Sequence, residues 1–189
     1  GYAPIDTCRD SLVSYLSDQS EGPGYTRGEA WDKASQAIED ARTSLGLLVE
    51  RSTGELGFIH LTIQEYLAAW ATSRKPDPDQ QSILAEHWRD PTWREVLLAL
   101  IGIHGVLRRE RTRVEALVDS LRAQSRSALD RWRQWEILAE IVFNDLGLTP
   151  LRARALAEEI LDTIERSPFR NLNRRLAHAA VRGLRSEHL

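Results

Sequence analysis

The sequence predicts a mainly α-helical protein with one β-hairpin in its first half and an antiparallel stack of helices behind it. Three observations predict this. Apolar residues recur at three- and four-residue steps through most of the 189 positions, the period of a helix with one face buried. Only residues 45–61 break that texture, with two short apolar runs around a turn. At 42% hydrophobic and 28% charged residues, the chain has the make-up of a globular protein with a real core, too apolar for disorder.

The elements follow in order. Leu12, Val13, Tyr15 and Leu16 place an apolar stripe inside a helix over 6–18, which Ser20-Glu21-Gly22-Pro23-Gly24 then breaks. A second helix over 27–43 carries Trp31, Ala34, Ile38 and Ala41 at helical spacing. Leu45-Gly46-Leu47-Leu48-Val49-Glu50-Arg51 and Leu56-Gly57-Phe58-Ile59-His60-Leu61, separated by Ser52-Thr53-Gly54-Glu55, read as a hairpin. Thr62 and Glu65 then have the spacing of a capping box, and Ile63, Tyr66, Leu67 and Trp70 continue as a core stripe over 62–73. Helix, helix, hairpin, helix is the order of a winged helix.

Ser73-Arg74-Lys75-Pro76-Asp77-Pro78-Asp79 is the best internal boundary, which divides the chain into a winged-helix-like segment, 1–75, and a helical region, 76–189. In the latter, Ile83, Leu84 and Trp88 mark a short helix. Thr92 and Glu95 repeat the capping-box spacing before a nearly all-apolar helix from Trp93 to Leu107. Further helices are expected over 111–125, 127–146, 149–166 and 169–186, with Thr149-Pro150 and Ser167-Pro168 as starts. Similar lengths and short turns fit an irregular, HEAT-like stack.

Composition excludes several functions. The only lysines, Lys33 and Lys75, do not follow glycine, so the sequence supplies no Walker A loop. The lone Cys8 forms no internal disulfide and fits a reducing, cytoplasmic setting. No apolar run approaches the length of a membrane helix. His87, His104, His178 and His188 are scattered without metal-ligand spacing, and no nucleophile-elbow motif occurs. Ile137-Leu138-Ala139-Glu140-Ile141-Val142-Phe143-Asn144-Asp145 resembles a Walker B run, yet reads as a core helix beside Trp132 and Trp135. The absence of methionine, including an initiator, reads as a piece of a longer polypeptide. Charge is uneven: residues 1–107 are net −7 and 108–189 net +4. Residues 166–186 hold six arginines and no acid, a pattern read as a solvated face or a seat for an acidic neighbour.

One segment carries a family signal. Gly46-Leu47-Leu48-Val49-Glu50, followed by Gly57-Phe58-Ile59-His60-Leu61-Thr62-Ile63-Gln64-Glu65-Tyr66-Leu67-Ala68-Ala69, resembles the end of the NACHT module of STAND-type signalling NTPases, the group of the NOD-like receptors and many bacterial defence proteins. Ile63 stands where an aromatic residue is commoner. Trp93-Arg94-Glu95-Val96-Leu97-Leu98 is similar to the helix that follows in that family. The likeness is strong over 45–100, loose over 1–44 and generic beyond 105. It implies a non-catalytic regulatory segment of a signal-transduction protein. His60 would contact an ADP phosphate in the resting state, with Thr62, Gln64 and Glu65 as structural motif residues. The resemblance further implies ATP or ADP with Mg in the parent protein and no cofactor in the segment alone. The implied partners are an upstream nucleotide-binding domain, a protein ligand and further copies of itself. Two other readings stand beside it: a helical protein-interaction scaffold without a nucleotide role, and a winged-helix DNA-binding module. The latter is disfavoured because helix 62–73 offers Thr62, Gln64, Glu65, Ala68, Ala69 and Thr72, with Arg74 and Lys75 only at its end.

Overall fold

The computed structural model describes residues 2–20 and 22–166 together with Arg174 and Ala177. The helix expected over 169–186, with its Ser167-Pro168 start and nearly all of its arginines, lies outside the described residues. The fold is mainly α, with a small antiparallel sheet. It divides into two compact units, residues 1–64 and 65–189; the proline-rich joint 73–79 falls inside the second.

In the first unit, β1 (Tyr2–Pro4) leads into α1 (Ile5–Ser17) and α2 (Arg27–Thr43), followed by β2 (Leu48–Ser52) and β3 (Glu55–Phe58). The sheet order is β1-β3-β2, both pairs antiparallel, with Tyr2 opposite Gly57 and Val49 opposite Gly57 on the other side. The expected hairpin is therefore present, and a third strand closes its open edge. Gly54 makes the hairpin turn with φ +80°, a backbone region that disfavours a side chain. Val13 of α1 packs on Ala30 and Ala34 of α2, two side chains small enough to bring the helices close. Trp31, expected in the buried stripe of α2, is 45% exposed and lies under the Arg9 guanidinium, 5.0 Å from its ring centre. The start of α2 is fixed by a capping box that the sequence reading passed over: Thr26 accepts from Glu29 N at 3.4 Å, and Glu29 accepts from Thr26 N at 3.0 Å.

Helix α3 (Leu61–Thr72) follows. In the second unit come α4 (Asp77–His87), a 3₁₀ turn (Pro91–Trp93), α5 (Arg94–Gly102), a π-turn (Ile103–Leu107), α6 (Arg111–Ala123), α7 (Ala128–Phe143) and α8 (Pro150–Arg166). Packing alternates: α4 on α6, α5 on α7, and α7 on both α6 and α8. One continuous core results, centred on Leu84, Leu97, Leu100, Leu117, Leu138 and Leu156. The Walker-B-like run is buried: Ile137, Leu138 and Ile141 belong to this core, and Ala139 packs with Ile160 in a second cluster.

Four expectations need correction. The stretch 93–107 is not one helix: it opens as 3₁₀, continues as α and ends as π. Its cap is Asp90, which accepts from Thr92 N at 2.9 Å, rather than Thr92; Pro91 needs no hydrogen-bond partner at the first position. Thr62 and Glu65 form no capping box, because α3 begins one residue earlier and Thr62 already lies inside it. Tyr66, Leu67 and Trp70 are not core but 44%, 41% and 38% exposed; α3 buries Ala69 and Thr72 instead. Compact residues let that face approach the second unit's core, where Ala69 and Ala68 pack.

Candidate functional site

The hairpin and α3 together set the position of His60. Ile59 N donates to Leu47 O at 3.0 Å, the last rung after β3. His60 follows at once, and its carbonyl accepts from Ile63 N at 3.1 Å as the first turn of α3 closes. The residue thus stands immediately before a twelve-residue helix, where unpaired amides and the helix dipole favour an anion. Its side chain is exposed, and no described group hydrogen-bonds to its ring. The neighbouring motif residues separate by burial: Thr62 is exposed, while Gln64 and Glu65 are half-buried. None of their side chains makes a hydrogen bond within the described residues. What sequence reasoning placed here is a histidine free to reach outward from a helix start.

The second unit contains a polar network that sequence reasoning missed. His104, in the π-turn, is fully buried, as is Gln80 of α4. His104 Nε2 lies 2.8 Å from Gln80 Oε1, while the Gln80 amide nitrogen donates to the carbonyls of Lys75 at 2.7 Å and Ser73 at 3.4 Å. Those two carbonyls fix which end of the amide faces the imidazole. On the other side, His104 Nδ1 meets Glu110 Oε2 at 2.6 Å, and Glu110 also accepts from Arg113 at 3.2 Å. Arg113 reaches on to Asp77 at 2.8 Å. Arg108 donates to Ser73 O at 2.8 Å and to Ser73 Oγ at 3.0 Å.

Electrostatics follow from the geometry. Burial pushes the His104 imidazole below its ordinary pKa, against the upward pull of Glu110. The contact with His104 in turn holds the Glu110 carboxyl below the usual carboxylate range. A histidine ringed by fixed partners is a structural strut that ties α4 to the start of α6; it has no free face for a substrate. The only sequence signal for it is His104 within an otherwise apolar run. Among the described residues no group of three or more potential ligands could hold a metal ion, and no helix is long and apolar enough to cross a membrane.

Compared with protein-family models, curated proteins and solved structures, the chain shows no match.

Proposed function

We propose that this chain is a regulatory segment of a NACHT-type STAND NTPase. In this reading its first unit acts as the winged helix, and His60 donates a hydrogen bond to a phosphate of ADP. The nucleotide itself sits on a P-loop domain elsewhere in the parent polypeptide, together with Mg. The segment alone performs no catalysis. ADP bridging to His60 keeps the parent closed; binding of a protein ligand to the helical region favours an open, ATP-bound, self-associating state. Such a parent belongs with cytoplasmic signalling and bacterial defence.

One observation carries the reading: the string 57–69 resembles the family motif, and its histidine stands exposed and unpartnered at a helix start. An imidazole N–H beside unpaired helix amides is a natural donor set for a phosphate oxygen. Thr62, Gln64 and Glu65 are the residues of the same motif that follow it on α3. The test is His60→Ala in the full-length parent. ADP retained through purification should fall and basal signalling should rise. Unchanged ADP occupancy together with unchanged signalling refutes the role, and the helical-scaffold reading then takes its place.

A further inference from the structure

The apolar stripe of α3 lies open. Tyr66, Leu67 and Trp70 are exposed, and all three belong to the second unit. Tyr66 and Trp70, about one helical turn apart, stack with ring centres separated by 6.3 Å. The Arg108 guanidinium lies 5.4 Å from the Trp70 ring centre, which brings the end of the π-turn onto this face. Just before it, Val106 and Leu107 are exposed as well. Large apolar groups gathered at a surface mark a place for a partner, and Trp, Tyr and Arg are the residues that most often carry protein interfaces.

Cations rim the apolar face. Arg74 and Lys75 follow α3, Arg109 closes the π-turn, and Arg111 opens α6. All four are exposed, and none of their side chains has a carboxylate or hydrogen-bond partner among the described residues. Elsewhere in the unit, Arg89, Arg94, Arg122 and Arg152 each hold a carboxylate. Local acids answer little of the charge. Glu110 is engaged by His104 and Arg113, and Asp77 by Arg113. Over residues 65–79 and 106–111 that leaves Glu65 and Asp79 against five cations, Arg74, Lys75, Arg108, Arg109 and Arg111.

The size of the anion that fits follows from the rest of the chain. The patch is basic, yet the whole sequence is net −3. An extended polyanion, duplex or bilayer, meets the acidic remainder too, whereas a short segment within a screening length of roughly 8 Å meets only the patch. Nucleic-acid bases gain little from Trp70, whose ring already lies against Tyr66 and Arg108.

We propose that this face docks a short acidic amphipathic segment of a partner protein. Its apolar side chains, three or four residues apart, seat on Tyr66, Leu67 and Trp70, and its carboxylates meet Arg74, Arg109 and Arg111. This rests on the reading of the helical region as the seat of a protein ligand and not on the role of His60, so peptide binding and ADP retention fail separately.

The test is a selection of displayed random peptides, long enough for four helical turns, against the immobilised chain. Enriched sequences are then made as labelled peptides and measured by fluorescence anisotropy. They should carry net negative charge with apolar residues three or four apart, and bind with Kd below about 100 μM at low salt. Combining Arg109→Glu with Arg111→Glu should weaken them at least about tenfold, and Leu67→Ser should weaken them with an unchanged circular dichroism spectrum. Arg131→Glu, at an exposed cation of α7, should leave affinity as it was. The proposal is overturned if no peptide enriches, if the enriched peptides are neutral or basic, or if the Arg109 and Arg111 reversals have no more effect than Arg131→Glu. It is equally overturned if an oligonucleotide or phosphatidylserine vesicles bind more tightly than the peptides, or if sedimentation shows a dimer that Leu67→Ser dissolves.

Discussion

Replacing Gly105 with alanine tests the packing of the second unit at a single atom. A Cβ at Gly105 would sit 2.0 Å from the carbonyl oxygen of Leu146 and 2.9 Å from Gly147 Cα, both backbone. No side-chain rotation relieves that clash, so the 145–147 turn must move away from the π-turn. Overpacking of this kind costs about 1–3 kcal/mol, and a backbone obstacle belongs at the upper end. For a chain of this size that lowers the melting temperature by roughly 4–12 °C. Gly102→Ala is the internal control. It lies three residues earlier, where the nearest atom to an added Cβ is a Leu146 methyl at 3.9 Å. There alanine should stabilise α5 by about 0.5–1 kcal/mol, because glycine loses more freedom on folding. Urea denaturation followed by tryptophan fluorescence measures both, with the midpoint shifting at constant slope. A Gly105→Ala protein as stable as wild type, or a Gly102→Ala protein destabilised alongside it, refutes the packing argument.

Other perturbations have equally defined outcomes. Thr26→Ala removes the hydroxyl that caps α2 and should cost about 1 kcal/mol in the same denaturation assay, with Thr26→Ser restoring most of it. Gln80→Leu leaves one nitrogen of buried His104 and the Lys75 carbonyl without their partner, while Ser73 O keeps Arg108, so a loss of about 1–3 kcal/mol is expected; a neutral result would show the network to be dispensable. Stability should fall steadily in acid. His104, Glu110 and Asp130 all have folded pKa values below their ordinary ones, Asp130 down to about 2 through its hydrogen bond from Arg89. The unfolded chain therefore takes up protons first, and the stabilising contribution present at neutral pH is lost as pH falls. The loss begins near 6.5 for His104, below 4.5 for Glu110, and between 3.8 and about 2 for Asp130. In Asp130→Asn the last of these declines should vanish from the pH profile, whereas an unaltered profile refutes the pairing. The isolated chain should show no ATP hydrolysis above a buffer blank.

Local signals made most helices legible. α1 and α2 match their expected spans within a residue or two, because the glycine-proline break between them and the apolar spacing within them are properties of neighbouring residues. The hairpin was readable for the same reason. β1 was not, since three residues carry no period, and Tyr2–Pro4 is a strand only because β3 pairs with it. The apolar stripe of α3 misled: Tyr66, Leu67 and Trp70 look like core by hydrophobicity, yet close approach to neighbouring helices favours Ala69. The position of His60 before α3 was legible to within one residue, as both hairpin and helix start were. The His104 network was not legible, because Gln80, His104 and Glu110 meet only after α4, the π-turn and α6 have packed. The basic face at the end of α3 depends on the same kind of distant meeting, between Trp70 and Arg108.

The π-turn also has an angular meaning. Arg108 N donates to Ile103 O, five residues back, at 3.0 Å, so the chain there carries one residue more than an α-turn. Each residue of an α-helix advances the side-chain direction by about 100°, and the extra one re-aims everything after it. Arg108 reaches Ser73 under this offset. Deleting one residue from 103–107 would leave every helix its composition while swinging Arg108 roughly a quarter-turn away. The joint after α3 and the start of α6 thus meet in a set rotational phase, and a length change of one residue in the turn would undo that phase.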